Sequence, residues 1–272
     1  RRLGSNMFHY PPRPMYLALL PGWTLERGRE LDQPYKTDTL LKLGAVPTAE
    51  RLALESLGRW GDRPLVLRQL ARIAIITGEM DAARDYLRKL SKDIVHGRFA
   101  KEQLAKIDAG YDFGDDEEIA QIRSFMVHGD FFGPTPTQTM LETLVDENPA
   151  NRMAFEYLMA HYLLTRQLDR FASYVHLVAR FGYEEMPPHY AEALMVRYVH
   201  TGRRPPSEIL PRDAVAVTQE GAFATLHKRC AGDARSLERT LSRDLPGTYY
   251  RYYYYIESLL LAPPATRTGD RS

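Results

Sequence analysis

The chain has 272 residues, enough for one large domain or two small ones. Apolar residues make up 44% of it and charged residues 26%, as in ordinary globular proteins. The formal net charge of +1 gives no overall field that would favour nucleic acid or an anionic membrane, and the single cysteine, Cys230, excludes an internal disulfide framework.

The first 46 residues are predicted to form an irregular N-terminal segment (1–46). Asn6–Pro14 is rich in proline and aromatic residues and is expected to be extended. Met15–Leu20 is the most apolar early run, but it is too short to span a bilayer, so no membrane insertion by these residues is expected. The chain begins with Arg1 rather than Met, which leads to the hypothesis of a membrane segment upstream.

From Pro47 onward, apolar residues recur at the spacing of amphipathic helices. Leu65–Lys92 is predicted to contain two such helices, separated at Thr77-Gly78. The apolar positions are Leu67, Leu70, Ala71, Ala74 and Ile75 in the first helix and Met80, Ala83, Tyr86, Leu87 and Leu90 in the second. Two helices joined by so few residues must run antiparallel.

The segment Asn148–Tyr183 has the same layout. Asn148 or Asn151 can cap its first helix, and Gly182 follows the end of its second. A third copy of the first half lies at His189–Gly202. A single hairpin of this kind cannot bury both of its apolar faces, so each hairpin needs a neighbour.

The breaks between the paired helices align with one another. They are Ile76-Thr77-Gly78, Leu164-Thr165-Arg166 and His200-Thr201-Gly202. Thr165 and Thr201 are 36 positions apart, close to the repeat of about 34 residues in tetratricopeptide (TPR) proteins. Leu65–Lys92 resembles one such repeat, and the residues that match its pattern in order and spacing are Leu70-Ala71, Gly78, Ala83 and Leu87.

The second segment departs from the TPR pattern. Arg166 stands where glycine is usual, and Phe171 stands where alanine is usual, which makes this repeat divergent. The middle of the chain is also similar to the soluble part of an uncharacterised family of bacterial membrane-associated proteins. That likeness implies an extracytoplasmic location but no activity, whereas the TPR resemblance implies a groove that binds a peptide or a protein.

The C-terminal region contains six tyrosines in seven positions, Tyr249–Tyr255. On a helix these side chains face every direction, so some must pack on preceding helices while others stay partly exposed. The plainer interpretation is a capping helix, and the functional one is an aromatic platform for a sugar, peptide or partner. Arg251 is the one basic residue among them, which is too little for nucleic acid. The tail 263–272 is predicted to be disordered.

No pattern in the chain indicates catalytic chemistry. The eight histidines are scattered, and none forms HExxH or another ligand spacing. There is no GxSxG nucleophile elbow, no GxxxxGK phosphate loop and no GxGxxG fingerprint. The sequence therefore predicts no catalytic residue, no cofactor and no metal.

The predicted fold is all-α, with TPR-like hairpins of residues 47–262 stacked as a solenoid and closed by the tyrosine-rich helix. The function favoured is a non-catalytic scaffold for a protein or peptide partner. Candidate partner-binding residues are Arg152, Glu156, Tyr157, Arg197, Tyr250, Tyr253 and Tyr254. Two alternatives remain open: a soluble appendage of a larger membrane enzyme or transporter, and an all-helical enzyme whose acids converge from distant helices.

Overall fold

The computed structural model describes residues 29–131, 137–183, 185–203, 214–230 and 233–260. These residues form thirteen α-helices and one 3-10 helix and contain no β-strand, which confirms the all-α class. The helices are α1 (Arg29–Lys42), α2 (Val46–Trp60), α3 (Pro64–Thr77), α4 (Met80–Leu90), α5 (Gly97–Asp108), α6 (Glu117–Phe125), α7 (Thr137–Glu147), α8 (Arg152–Leu164), α9 (Leu168–Tyr174), the 3-10 helix (Val175–Phe181), α10 (Pro188–Thr201), α11 (Ala214–Arg229), α12 (Ala234–Asp244) and α13 (Tyr249–Leu260).

The chain divides into two compact units, and the division falls between Leu158 and Met159, within α8. The described residues up to Leu158 belong to the first unit, and those from Met159 onward belong to the second. The sequence had indicated one repeat domain over residues 47–262. Most contacts between the described helices join helices that are close in the chain, and such local packing is compatible with two compact units.

In the first unit, α3 packs against α1, α2, α4 and α6, and α4 packs against α5. The predicted helix pair in Leu65–Lys92 is confirmed as α3 and α4, which the two residues Gly78 and Glu79 join into an antiparallel hairpin. Eight of the fourteen residues of α3 are buried, so α3 is the central helix of this unit's core.

The three aligned turns share one backbone geometry. Gly78, Arg166 and Gly202 all have a left-handed backbone, with φ of 85°, 59° and 70°. The threonine before each of them donates its hydroxyl to the carbonyl oxygen four residues earlier, at 3.2, 2.7 and 2.8 Å. The correspondence inferred from sequence therefore holds at the level of backbone conformation, including the turn that has arginine in place of glycine.

The second half of Asn148–Tyr183 was predicted to be a single helix, but it consists of an α-helix followed by a 3-10 helix. The α-helix ends at Tyr174, and a 3-10 helix continues to Phe181 before Gly182 turns with φ of 64°. Such segments are common at the ends of α-helices. Three residues per turn bring Val175 and Val178 to one side, where both are buried, so the apolar spacing fits the tighter helix as well.

Part of the segment 1–46 is helical, which corrects the prediction of an irregular segment. Helix α1 packs on α2 and α3, with Thr37 and Leu41 fully buried. Apolar residues are few before its last turns, so its sequence shows little periodicity, and tertiary packing stabilises the helix. Residues 1–28, and the tail 263–272 that was predicted to be disordered, lie outside the described residues.

In the second unit, the C-terminal helix lies among several partners. Helix α13 packs against α10 and α12, α11 packs against α10 and α12, and α9 packs against α10. The largest fully buried side chains of this unit are aromatic, namely Tyr162, Phe171, Phe223, Tyr249 and Tyr250. Aromatic packing thus fixes the position of α13, which carries three of the seven candidate binding residues.

Candidate functional site

The six tyrosines of α13 divide into packed and partly exposed members, as predicted. The buried ones are Tyr249, Tyr250 and Tyr254, the half-buried ones are Tyr252 and Tyr253, and the exposed one is Tyr255. The hydroxyls of Tyr249 and Tyr252 donate to the carbonyl oxygens of Leu163 and Leu164, each at 2.9 Å. The last carbonyls of a helix have no partner within it, so these tyrosines complete the C-terminal end of α8.

A buried carboxylate fixes the start of α13. One oxygen of Glu192, in α10, accepts a hydrogen bond from the backbone N–H of Tyr249 at 2.6 Å and lies 3.0 Å from Nδ1 of His189. Glu192 and His189 are both buried. A negative charge is favoured at a helix N-terminus, so Glu192 orients α13 against α10.

Aromatic and histidine rings fill the space between α10, α11 and α13. Phe223 stacks on Tyr250 with ring centroids 4.0 Å apart, and the hydroxyl of Tyr254 lies 3.1 Å from Nε2 of His200. The ring centroids of His200 and His227 are 6.1 Å apart. Burial and the neighbouring His200 lower the pKa of His227, against a smaller opposing effect of Glu257. Burial raises the pKa of Tyr250 and of Tyr254, which keeps both hydroxyls protonated.

The partly exposed part of this region is a cluster of Arg166, His200, Tyr253 and Glu257, called here the Arg166 cluster. The Cζ atom of Arg166 lies 4.1 Å from the ring centroid of Tyr253, and the centroids of Tyr253 and His200 are 5.4 Å apart. Nη2 of Arg166 lies 4.0 Å from Oε2 of Glu257. The Nε atom of Arg166 and the Oε2 atom of Glu257 are buried and have no hydrogen-bond partner among the described residues.

Three of the seven predicted partner-binding residues are too buried to contact a partner. Tyr157 is 3% exposed, Tyr250 is 0% exposed and Tyr254 is 3% exposed, so all three are removed from the candidate set. Tyrosine is both large and amphipathic, and its presence on a helix does not show which way the ring faces. Here these rings are part of the cores of their units.

The other four predicted residues lie at or near the surface. Nε of Arg152 pairs with Glu156 at 2.8 Å, and Nε of Arg197 pairs with Asp169 at 2.8 Å. Arg152 and Glu156 belong to the first unit, whereas Arg197 and Tyr253 belong to the second. Their roles in binding stay predictions, and α13 brings Tyr253 alone of these four into the Arg166 cluster.

Sequence reasoning missed the most exposed aliphatic residues of the part of the chain that the structure describes, which lie in the turn between α4 and α5. Ile94 is 99% exposed and Val95 is 79% exposed. One carboxylate oxygen of Asp93 accepts the backbone N–H groups of Val95 and His96, at 3.0 and 2.7 Å. An aspartate followed by two aliphatic residues, with glycine closing the turn, could have indicated this exposed, ordered loop.

Other features of the described residues add no chemical centre. They contain no group of three or more His, Cys, Asp or Glu side chains placed to hold a metal ion. A surface cavity of about 310 Å³ is lined by Glu55, Ser56, Arg59 and Trp60 of α2. Within the described part of the chain, no helix combines the length and the apolar character needed to cross a membrane.

Comparisons with known proteins give a family but no characterised relative. No curated protein and no solved structure matches the chain. The model of a family of unknown function, DUF6057, matches residues 2–256, which is nearly the whole chain. The protein is therefore a member of the DUF6057 family.

Proposed function

We propose that this protein is a non-catalytic scaffold that binds a protein or peptide partner through TPR-like helix hairpins. The shared left-handed turns at Gly78, Arg166 and Gly202 support the repeat assignment. TPR-type hairpins bury their faces on one another and leave continuous surfaces for extended partners. Stacking of the hairpins as a solenoid, and a capping role for α13, are parts of the same proposal.

The observation that carries the proposal is the half-exposed ring of Tyr253 against the guanidinium of Arg166. Tyrosine and arginine are, with tryptophan, the residue types enriched at the energetic centres of protein interfaces. The buried neighbours Tyr250 and Tyr254 hold α13 in place, so the ring is presented with little loss of conformational freedom on binding. Tyr255, 44% exposed, extends the aromatic surface along α13.

The proposal is tested by site-specific photo-crosslinking of the full chain in the cells that produce it. A photoreactive amino acid at position 255 is expected to give a discrete crosslinked partner. The same amino acid at Tyr35 of α1, which is 56% exposed, is the matched control and should not capture that partner.

The crosslink at position 255 should be lost in the double variant Arg166→Gly, Tyr253→Ser, which changes the proposed surface. Equal capture from positions 35 and 255, or capture that survives the double variant, would contradict a binding role for this surface. Circular dichroism of the double variant shows whether the helices are retained.

A further inference from the structure

The turn between α4 and α5 holds Ile94 and Val95, called here the aliphatic tip, in an ordered but fully projecting position. Besides the two bonds to the Asp93 carboxylate, the N–H of Gly97 donates to the Asp93 carbonyl at 2.9 Å. A Cβ atom at Gly97 would lie 2.8 Å from the carbonyl oxygen of Ser91, so the turn closes tightly only because glycine is there. Two adjacent aliphatic side chains are thus exposed by a specific turn structure.

Positive charge surrounds the aliphatic tip. The turn between α2 and α3 lies at the same end of the first unit, because Lys89 bonds to Asp62 at 3.2 Å and Arg68 lies over the ring of Phe99 at 4.8 Å. Residues 59–68 and 88–101 together form what is called here the basic end. They contain only two acidic residues and eight basic ones, all exposed: Arg59, Arg63, Arg68, Arg88, Lys89, Lys92, Arg98 and Lys101.

Half of these cations have neither an ion pair nor an aromatic contact in the described part of the chain, whereas Arg68 lies over the ring of Phe99, so these four are available to an external anion. Arg59, Arg63, Lys92 and Lys101 form no ion pair with another residue in the described part of the chain. Leu65, 50% exposed, and the partly exposed Trp60 lie at the same end. The basic end therefore combines free cations with exposed aliphatic side chains and a partly exposed tryptophan.

The opposite end of the first unit is acidic. Arg84 bonds to Asp81, in the first turn of α4, and to Asp108, at the end of α5, which shows that these two places are close. Residues 79–81 and 108–118 contain eight acidic residues and no lysine or arginine. The first unit is thus electrostatically polar, although the formal net charge of the chain is only +1.

We propose that the basic end docks on an anionic lipid surface, with Ile94 and Val95 entering the boundary between headgroups and acyl chains. Lipid phosphates attract the unpaired cations, and the projecting tip needs no complementary pocket in a fluid surface. Trp60 suits the interfacial layer, where indole rings are favoured. Repulsion of the acidic end by the same lipids sets the orientation of the first unit.

The aliphatic tip favours a lipid surface over nucleic acid as the anionic partner of the basic end. A phosphate backbone can bind the cations of the basic end but offers nothing to Ile94 and Val95, whereas lipid accepts both groups. This inference concerns a different surface from the Arg166 cluster and does not rest on the proposed scaffold function.

The test is vesicle flotation of the full chain. Vesicles of phosphatidylcholine alone should bind little, vesicles that also contain phosphatidylglycerol should bind the chain, and added NaCl should weaken that binding. The double variant Ile94→Ser, Val95→Ser should lower the affinity for anionic vesicles about tenfold or more, because two aliphatic side chains lose their apolar contact with the lipid. Leu54→Ser changes an aliphatic residue, 43% exposed, in the middle of α2, and it should bind like the wild type.

Charge and insertion are tested separately. Lys92→Glu with Lys101→Glu should weaken binding to anionic vesicles about tenfold or more, whereas Arg239→Glu, at an exposed site of α12, should not. In Ile94→Trp, the indole emission should shift to shorter wavelength on anionic vesicles. All replaced side chains are exposed, so the variants are expected to fold.

Three results would each overturn the proposal. They are no flotation with anionic vesicles, flotation that is unchanged in both double variants, and tighter binding to a DNA duplex that is indifferent to Ile94 and Val95. The variant Arg166→Gly, Tyr253→Ser should float like the wild type, so failure of the scaffold proposal and failure of the lipid proposal give different results.

Discussion

Arg166 places its guanidinium 4.1 Å from the ring centroid of Tyr253, from a left-handed backbone position that glycine fills in the two comparable turns. A non-glycine residue in this conformation costs about 1 kcal/mol. A cation over a partly desolvated aromatic ring stabilises the folded protein by about 0.5–2 kcal/mol. The two effects nearly offset each other in folding, so arginine here is compatible with the stability of the turn and also supplies a cation to the surface.

Replacing Arg166 by two small residues should separate backbone strain from the cation–π contact. Arg166→Gly removes both and is expected to leave the free energy of unfolding within about 0.5 kcal/mol of the wild type. Arg166→Ala keeps the strain and loses the contact, so it should destabilise the protein by about 1 kcal/mol. Urea unfolding of the full chain measures both. If both variants lose the same amount of stability, backbone strain at position 166 does not contribute to the free energy of unfolding.

Removing the hydroxyl group from two buried tyrosines, Tyr157 and Tyr249, should change the free energy of unfolding in opposite directions. The hydroxyl of Tyr157 is buried and has no hydrogen-bond partner among the described residues, whereas that of Tyr249 donates to Leu163. Tyr157→Phe removes an unsatisfied polar group and is expected to stabilise the protein by about 1 kcal/mol. Tyr249→Phe leaves a buried carbonyl with one bond fewer and should destabilise it by about 1 kcal/mol.

Chemical denaturation of each variant gives these values, and the burial of each ring is retained by phenylalanine. Destabilisation by Tyr157→Phe would show that its hydroxyl has a partner, such as ordered water. No effect of Tyr249→Phe would show that the contact with α8 contributes nothing measurable.

Arg123 of α6 donates hydrogen bonds to three backbone carbonyl groups. We expect its substitution to lower the stability of the protein strongly. Its guanidinium donates to the carbonyls of Ile75, Ile76 and Asp112 at 2.7, 3.0 and 3.0 Å. The first two lie at the C-terminal end of α3, where a cation also complements the helix dipole. Arg123→Met should destabilise the protein by about 3 kcal/mol, because charged hydrogen bonds are lost.

Arg123→Lys is the informative companion to Arg123→Met. An ammonium group keeps the charge but cannot reach three carbonyls with the fork of a guanidinium, so an intermediate loss is expected. Thermal unfolding followed by circular dichroism ranks the variants. A lysine variant as stable as the wild type would mean that charge alone, and not the shape of the side chain, holds α6 to α3.

Stability should fall as the pH is lowered through the ordinary range of histidine, because of His227. Burial and the charge of His200 depress the pKa of His227 below 6.5 in the folded protein. The unfolded chain then binds more protons than the folded one, so unfolding is favoured as the pH falls from about 7.5 through 6.5 toward the folded pKa. His227→Gln is expected to flatten the dependence of the unfolding free energy on pH in this range.

The matched control is His128→Gln, at an exposed histidine of the first unit. Urea unfolding at several pH values between about 5.5 and 7.5 is the measurement, a window that avoids most carboxylate titration. If His227→Gln and His128→Gln change the pH dependence equally, the ring cluster between α10, α11 and α13 is not its source.

The hairpin α3–α4 could be predicted from sequence because several signals agree there. Apolar periodicity, a glycine at the turn and charged residues on the outer face of α4 all indicate the same two helices. Helix α1 could not be predicted in the same way, since few of its residues are apolar and its stability depends on packing against α2 and α3. The apolar periodicity of a segment shows which of its own residues can be buried, but it does not show which other helices will pack against it.

The candidate site was predicted only in part. The sequence indicated α13 and Tyr253, but it could not show that Tyr250 and Tyr254 face inward, because tyrosines occupy nearly every position there. Arg166 was recognised as unusual in a glycine position, but its contact with Tyr253 depends on how the second unit folds. Net charge was equally uninformative about the first unit, since summing over the chain cancels its basic and acidic ends.

The hydroxyls of Tyr249 and Tyr252 reach carbonyl groups 86 and 88 residues earlier in the chain. During synthesis, the end of α8 therefore leaves the ribosome long before the side chains that complete it have been made. Until then neither tyrosine bond can form, and the second unit cannot close around this end of α8. A nascent chain stalled before α13 should expose this part of α8 to chaperones and proteases, and release of the last helix should be the step that protects it.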